Sequence, residues 1–251
     1  MPFMNCSFYS ECLGMPANVM VILPRQKDMD YSGTFPVVYI LHGLMDDYDS
    51  WFRRTSLERY CDENQIAAVL PQGGRSFYTD MAYGYDYFTH VSEEVPKFCE
   101  TVFPIGGSPE KRFITGNSMG GYGALKTALK RPGFFSKAAA ISGVMDINSM
   151  IQAFPEYQAD WICCFGEAKA PDSEDLFYLI EKAAQKDELL PLYQYCGTKD
   201  FLYQDNLRFL NFCRQKGISI CYQEEQGGIH EWNHWDVVLP VILQWFLKEE
   251  S

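Results

Sequence analysis

Residues 115–124 read Thr-Gly-Asn-Ser-Met-Gly-Gly-Tyr-Gly-Ala, and no other stretch constrains the architecture as strongly. Its Gly-x-Ser-x-Gly core stands between a short apolar run at 111–115 and a helix-like run from Gly120 to Lys130. A strand that turns sharply into a helix at a serine exposes the hydroxyl. Glycine is needed on both sides because a Cβ there would collide with the neighbouring strand or helix. We therefore predict a nucleophile elbow with Ser118 at its tip.

Strand-like and helix-like runs alternate along the chain. Predicted strands fall at 35–41, 66–71, 111–115, 137–141, 192–196 and 218–223, and predicted helices at 50–64, 92–102, 120–130, 204–215 and 233–248. This alternation indicates an α/β protein with the α/β-hydrolase fold, a mostly parallel twisted sheet with helices on both faces. A length of 251 residues fits a single domain, 1–251. The segment 144–190 has no clear strand and could fold over the sheet edge as a small cap-like insertion.

Charge and hydropathy exclude several kinds of partner. The net charge is −12 and Lys and Arg form no cluster, so we expect no nucleic acid. The longest apolar run, 237–247, is too short to cross a bilayer, so we expect no membrane partner. No basic residue precedes Arg25, no signal-peptide core is visible, and none of the nine cysteines has CxxC spacing. We therefore expect a reduced, cytoplasmic protein.

A serine nucleophile needs a general base, and histidine is the usual one. The chain has four histidines, and the chain order nucleophile, acid, base leaves His230 and His234. His230 follows a Gly-Gly pair in the loop before the last predicted helix, where it can reach back to Ser118. His234 falls about one turn inside that helix, so we favour His230.

A carboxylate must orient the base. Asp200 follows the predicted strand 192–196, at the sheet edge where catalytic groups collect, and is the favoured acid. Asp205, near a helix start, and Asp146, a candidate helix cap, are the rivals.

The oxyanion of the tetrahedral intermediate needs fixed N–H donors. We assign the backbone N–H groups of Met119 and Leu44, with Gly43 allowing close approach. The His42 side chain is interpreted as structural.

The pentapeptide 230–234 also matches H-E-x-x-H, a zinc-protease motif. The preceding glycines indicate that no helix has begun at His230, and only residues 235–251 remain to supply a third ligand. We therefore predict no metal site.

Two aromatic-rich segments, 76–90 and 144–190, could wall the substrate site. A narrow cleft between them would favour acyl groups of about two to four carbons. Packing that anchors a long loop is an equal alternative for any single aromatic residue of 76–90. The expected substrate contacts are Gly43, Tyr78 and Trp232.

Five stretches carry motifs that are specific in combination. They are Leu-His-Gly-Leu at 41–44, Ser-Phe-Tyr-Thr-Asp-Met-Ala-Tyr-Gly at 76–84, Gly-Asn-Ser-Met-Gly-Gly-Tyr-Gly-Ala-Leu at 116–125, Cys-Gly-Thr-Lys-Asp-Phe-Leu-Tyr at 196–203 and His-Glu-Trp-Asn-His-Trp-Asp at 230–236. Over nearly the whole chain they resemble the esterase D and S-formylglutathione hydrolase group of α/β-hydrolases, most closely bacterial tributyrin esterases.

The resemblance implies a serine carboxylesterase that hydrolyses short-chain acyl esters, acetyl to butyryl, without a cofactor. The family triad matches Ser118, Asp200 and His230, with Leu44 and Met119 as oxyanion donors. The family pattern His-x-Trp-x-x-Trp also begins at His230.

Relatives in this group act on acetylated or feruloylated carbohydrates or on S-formylglutathione. The S-formylglutathione hydrolases usually carry His where this chain has Asn117, which disfavours that substrate. A relative that binds a ligand without turnover is the alternative from another functional class. The resemblance also implies a homo-oligomer, although the sequence shows no interface.

Overall fold

The computed structural model describes residues 2–248. The strands are β1 Phe3–Ser10, β2 Met15–Ile22, β3 Val37–Leu41, β4 Ala67–Pro71, β5 Arg112–Gly116, β6 Lys137–Ile141, β7 Leu192–Gly197 and β8 Cys221–Glu225. The α-helices are α1 Ser50–Arg54, α2 Leu57–Asn64, α3 Tyr87–Thr89, α4 Val95–Val102, α5 Met119–Lys130, α6 Ile147–Ala153, α7 Gln158–Phe165, α8 Leu176–Gln185, α9 Tyr203–Gln215 and α10 Trp232–Leu247. A π-helical turn, His90–Glu94, joins α3 to α4, and short 3-10 turns lie at Lys27–Met29, Pro109–Lys111, Pro155–Tyr157 and Asp172–Glu174.

The strands form one sheet in the order β1-β2-β4-β3-β5-β6-β7-β8. The strands from β3 to β8 run parallel, and the β1–β2 hairpin is antiparallel, with β2 pairing antiparallel to β4. Leu41 pairs with Gly116, so β3 and β5 end level with each other. The predicted α/β class with a mostly parallel sheet is confirmed, and the loops after these strands meet at one edge.

Side chains alternate between the two faces of the sheet. In β3, Val37, Tyr39 and Leu41 belong to the core beneath α5, whereas Val38 and Ile40 belong to the core beneath α10. Both layers are apolar because a parallel strand covered by helices on both faces is buried on both faces. This double packing holds the carboxyl edge of the sheet in place.

The sequence analysis did not predict the first two strands. Residues of β1 alternate between exposed and half-buried, and Asn5 and Ser7 lie on its exposed side. Such a strand lacks the continuous apolar run that marked the parallel strands. The predicted helix 50–64 is two helices, α1 and α2, because the N–H of Ser56 bonds the carboxylate of Asp236 instead of continuing the helix.

The segment 144–190 contains no strand and has two parts. The helix α8 packs on α5 in the layer beside the sheet, and Tyr122 donates to the carbonyl of Glu174 just before it. The first part, α6 to α7, lies at the carboxyl edge. No helix among residues 2–248 has the length and apolar character needed to cross a membrane.

Candidate active site

Ser118 stands at the turn between β5 and α5 with φ 55° and ψ −118°, a backbone conformation that residues other than glycine rarely adopt. A Cβ on Gly116 would lie 2.5 Å from the carbonyl oxygen of Leu41, and one on Gly120 would lie 2.2 Å from the same atom. Both distances are far shorter than a van der Waals contact between carbon and oxygen. The predicted steric reason for both glycines is therefore confirmed, and the tight turn carries the serine at its tip.

His230 and Asp200 are joined by a hydrogen bond. Nδ1 of His230 lies 2.8 Å from Oδ2 of Asp200, and Oδ1 of Asp200 accepts the N–H of Leu202 at 2.9 Å. The Asp200 side chain is buried, while the His230 side chain is 18% exposed. Because Nδ1 donates to Asp200, Nε2 is the nitrogen left to accept a proton from a substrate or nucleophile.

Two loops bring these residues together. A Cβ on Gly197 would lie 2.4 Å from the carbonyl carbon of Gly228, so the two glycine backbones touch. The N–H of Thr198 bonds the carbonyl of Glu225 at 2.9 Å, and the N–H of Lys199 bonds that of Gly228 at 2.9 Å. The loop that carries Asp200 is therefore fixed to the loop that leads to His230.

The His230 ring contacts two aromatic rings. Phe201 is 4.6 Å away between centroids, and Trp235 is 4.9 Å away with its plane at 87°. Trp235 is itself held by a hydrogen bond from Nε1 to Oγ of Ser142 at 3.2 Å. Contact with these two rings, together with the hydrogen bond to Asp200, restricts the orientation of the imidazole.

The rival carboxylates and the rival histidine are engaged elsewhere. Asp205 pairs with Arg208 at 2.7 Å on α9, and Asp146 caps α6 by accepting the N–H of Ser149 at 2.9 Å. His234 bonds Oε1 of Glu225 at 2.8 Å. These contacts match the structural roles considered for Asp146 and Asp205.

The H-E-x-x-H residues do not share one helical face. The helix α10 begins at Trp232, so His230 precedes it and only His234 lies within it. Each histidine bonds a different carboxylate. Among residues 2–248, His, Cys, Asp and Glu form no group that could hold a metal ion.

The predicted oxyanion donors lie beside the elbow. Met119 is the first residue of α5, and Leu44 follows β3 in the loop that leaves the same sheet edge. Within the described chain, neither N–H has a backbone acceptor. A Cβ on Gly43 would lie 3.6 Å from Cβ of Ser118, so this loop closely approaches the nucleophile.

The His42 side chain orients the peptide that carries one donor. Its Nε2 accepts the N–H of Gly73 at 2.9 Å, so Nδ1 carries the proton and donates to the carbonyl of Gly43 at 2.7 Å. In a trans peptide the carbonyl and N–H point in opposite directions, so the N–H of Leu44 points away from the His42 ring. Burial lowers the pKa of His42, which keeps this neutral tautomer.

Ser118, His230 and Leu44 line one pocket of about 470 Å³ at the carboxyl edge of the sheet. It is lined by Gly43, Leu44, Met45, Asp46, Arg54, Asn117, Ser118, Met150, Phe154, Tyr157, Phe201, His230, Glu231, Trp232 and Trp235. Two other hollows, of about 560 and 550 Å³, lie around Lys182 and around Gly133 and contain none of the candidate residues. Among residues 2–248, the Ser118 hydroxyl and His230 line the pocket without a direct hydrogen bond between them.

Two of the three expected substrate contacts, Gly43 and Trp232, line the pocket. Tyr78 does not: its side chain is fully buried, and its hydroxyl donates to the carbonyl of His42 at 2.8 Å. The expected wall from 76–90 is also absent, because Phe77 is buried in the core and Tyr83 faces solvent. The assignment of Tyr78 as a substrate contact is therefore corrected.

The second aromatic segment does reach the pocket. Met150, Phe154 and Tyr157, from α6 and the following turn, form one wall. Sequence reasoning did not single out Phe201 or Tyr157 as pocket residues. Phe201 directly follows Asp200, which is a usable signal, whereas Tyr157 has no marker in the sequence.

The Asn117 side chain, next to the nucleophile, is fully buried. Neither its amide nitrogen nor its amide oxygen has a hydrogen-bond partner in the described structure. Its nitrogen would lie 3.1 Å from a Cβ on Gly43. A larger residue at 43 would therefore press on this amide and on the carboxylate of Asp46, whose Oδ2 would lie 2.9 Å from the same Cβ.

Comparisons with known proteins agree with this geometry. The Esterase family model matches residues 10–246. An acetyl esterase of Caldicellulosiruptor saccharolyticus is 32% identical over 99% of both chains, and the mouse S-formylglutathione hydrolase is 25% identical over 84% of this chain and 81% of its own. The substrate-bound structure of the fluorophosphonate-binding serine hydrolase F of Staphylococcus aureus superposes with a TM-score of 0.89, at 30% identity and 99% coverage of both chains. The chain therefore belongs to the Esterase family and is a carboxylic ester hydrolase.

Proposed function

We propose that Ser118, His230 and Asp200 form a catalytic triad that hydrolyses short-chain acyl esters, acetyl to butyryl, through an acyl-enzyme. One observation carries this proposal: His230, held by Asp200 at 2.8 Å, lines the same pocket as the strained Ser118. No side-chain group other than these three is needed for the proton transfers.

The geometry suggests the following sequence of steps. The Ser118 oxygen attacks the ester carbonyl while its proton moves to Nε2 of His230. The negative oxygen of the tetrahedral intermediate accepts hydrogen bonds from the backbone N–H groups of Leu44 and Met119. In such sites each donor stabilises the transition state by about 3 kcal/mol. As the C–O bond breaks, His230 returns the proton to the leaving alcohol. Water then attacks the acyl-serine carbonyl and gives a proton to His230; as the bond between the acyl carbon and the Ser118 oxygen breaks, His230 returns that proton to the serine and the acid is released.

The aromatic rings around His230 support short acyl groups. Phe154, Phe201 and Trp235 border the space around His230, and the whole pocket occupies about 470 Å³. Each added methylene gains about 0.8 kcal/mol only while it finds apolar surface to bury. We infer that an acyl chain longer than about four carbons meets these rings or extends into solvent and gains no further burial.

An acylated sugar is the second candidate substrate. The rim combines the indole of Trp232 with the polar side chains of Asp46, Arg54 and Glu231. An aromatic face beside several hydrogen-bonding groups suits a sugar or a phenolic ring. Carbohydrate acetyl or feruloyl ester hydrolysis would use the same triad, as would hydrolysis of S-formylglutathione.

We also place the enzyme in the cytoplasm. All nine cysteines are free thiols, including the sequence neighbours Cys163 and Cys164, which suits a reducing compartment. The homo-oligomer implied by the family resemblance stays a prediction that size-exclusion chromatography with light scattering would decide.

Hydrolysis of p-nitrophenyl acetate, butyrate and octanoate tests the proposal. We expect kcat/KM to be highest for acetate or butyrate and to fall for octanoate, with Ser118→Ala inactive on all three. If the wild-type chain hydrolyses none of them, the proposed range of short-chain acyl esters is wrong. A kcat/KM that rises to octanoate would indicate a deep lipid channel.

A further inference from the structure

The Tyr78 ring packs tightly between α5, the helix that follows Ser118, and the loop after β4. A Cβ on Gly123 would lie 2.3 Å from Cδ2 of Tyr78, and one on Gly73 would lie 2.4 Å from its Cε1. The ring is therefore in direct contact with both glycine backbones and can shift toward neither. Its hydroxyl reaches past them to the carbonyl of His42, at 2.8 Å.

That carbonyl belongs to the peptide just before Gly43. The two successive carbonyls of the oxyanion loop thus have separate donors: the Tyr78 hydroxyl for His42, and the His42 ring for Gly43. With both peptide planes fixed, the direction of the Leu44 N–H is fixed as well. Tyr78 does this from outside the pocket, since it does not line it.

The turn that carries Tyr78 is strained. Phe77 has φ 50° and Tyr78 has φ 52°, in the left-handed region that non-glycine residues avoid. Two such residues in succession persist only where the surroundings impose them. Ser76 supplies part of the restraint, because its hydroxyl donates to the carbonyl of Gly73 at 2.6 Å and accepts the N–H of Tyr78 at 3.0 Å.

Lys126, on α5, supplies the remaining restraint on the strained turn. Its ammonium group is fully buried and donates to the carbonyl of Phe77 at 2.9 Å, to the Thr79 hydroxyl at 2.7 Å and to Glu174 at 2.6 Å. All three protons are used, which a buried ammonium requires. The second oxygen of Glu174 accepts Lys130 at 2.7 Å, so the carboxylate is paired on both sides.

We propose that Tyr78 is a positioning residue for the oxyanion loop and that Lys126 holds the strained turn that aims it. This inference rests on the proposed function, because it assigns Leu44 as an oxyanion donor. It also connects the segment 144–190, through Glu174, to the geometry of the reacting oxygen. Loss of the Tyr78 hydroxyl should weaken transition-state binding while leaving the walls of the pocket intact.

Tyr78→Phe tests the proposal, because it keeps the ring and removes only the hydroxyl. We expect kcat for p-nitrophenyl butyrate to fall about 10- to 100-fold, as for the partial loss of one oxyanion donor, with KM within about twofold. The rate of labelling by a fluorophosphonate should fall in parallel, since its reaction also develops charge on the oxygen.

Tyr39→Phe is the matched control. Tyr39 is equally buried and also loses one hydroxyl bond, to Oε1 of Glu100 at 3.0 Å, but this bond joins β3 to α4 and does not involve the oxyanion loop. We expect its kcat to stay within about twofold of wild type. A wild-type kcat in Tyr78→Phe, a loss confined to KM, or equal kcat losses in both variants would overturn the inference. Activity that survives in Ser118→Ala would instead refute the proposed function itself.

Discussion

Nδ1 of His230 lies 2.8 Å from Oδ2 of Asp200, although the two residues are 30 positions apart in the chain. The carboxylate is buried and the imidazole sits at the wall of the pocket, so the pair presents one free ring nitrogen to the site. A neutral imidazole held in that tautomer is what a serine nucleophile needs from its base.

His230→Ala should reduce kcat at least about 10⁴-fold on p-nitrophenyl acetate, because Ser118 then has no group to accept its proton. The matched variant is His234→Ala, which loses only the bond to Glu225 and should keep most of the activity. Steady-state kinetics of both variants decides the point. Equal losses, or a greater loss in His234→Ala, would contradict the assignment of the base.

Asp200→Asn should lower kcat roughly 10³- to 10⁴-fold with the fold intact, because an amide cannot hold the imidazole in the required tautomer or stabilise its protonated form. Asp205→Asn is the control, since Asp205 pairs with Arg208 on α9 and makes no bond to His230. Circular dichroism should show both variants folded. Nearly equal kcat values for the two would be incompatible with Asp200 as the acid.

Gly43→Ala should lower kcat about 10- to 100-fold, because small displacements in a preorganised site are costly. Its new methyl group would lie 2.9 Å from Oδ2 of Asp46 and 3.1 Å from Nδ2 of Asn117, so these two side chains beside Ser118, or the loop that carries Gly43, must shift. Gly33→Ala adds a methyl where no atom lies within 4 Å and should be neutral. Full activity in Gly43→Ala would show that this loop does not contribute to the oxyanion site.

The local part of the site could be predicted from sequence because its cause is local. The glycines around Ser118 are required by contacts between adjacent elements, and chain order singled out Asp200 and His230. The role of Tyr78 could not be predicted, since it depends on two successive positive φ angles and on contact with Gly123, which is distant in sequence.

The strands and helices likewise divide into those that the sequence predicts and those that only the structure shows. Buried parallel strands such as β3 and β6 can be recognised in the sequence as apolar runs. By contrast, β1 is half exposed and mixes polar residues with apolar ones. The predicted strand 218–223 lies instead at Cys221–Glu225, because residues 218–220 belong to the connection from α9. The pocket wall at Phe154 and Tyr157 comes from short helices whose direction only tertiary packing sets.

Glu100→Gln should make stability less dependent on pH. Although burial acts to raise the pKa of Glu100, hydrogen bonds from Arg112, Gly107 and Tyr39 hold it below its ordinary value of 4.5. A carboxyl group whose pKa is lower in the folded than in the unfolded protein stabilises the fold at pH values above the unfolded pKa. This stabilisation is lost as the pH falls through the folded pKa.

In urea unfolding, Glu100→Gln should therefore lose about 2–3 kcal/mol at pH 7, and the difference from wild type should shrink below about pH 4. Glu110→Gln, at an exposed turn, is the control and should change little at either pH. A deficit in Glu100→Gln that is constant from pH 7 to pH 3 would mean that the charge of Glu100 is not the source of the stability.

The central claim is that Ser118 is the nucleophile. It is tested most directly by treating the enzyme with a fluorophosphonate and locating the adduct by peptide mass spectrometry, with esterase activity followed in parallel and with a chelator-treated sample beside it. We predict one adduct, on Ser118, formed in step with the loss of activity, and undiminished activity in the chelator-treated enzyme. An adduct on another residue, or inactivation by the chelator alone, would contradict the serine mechanism.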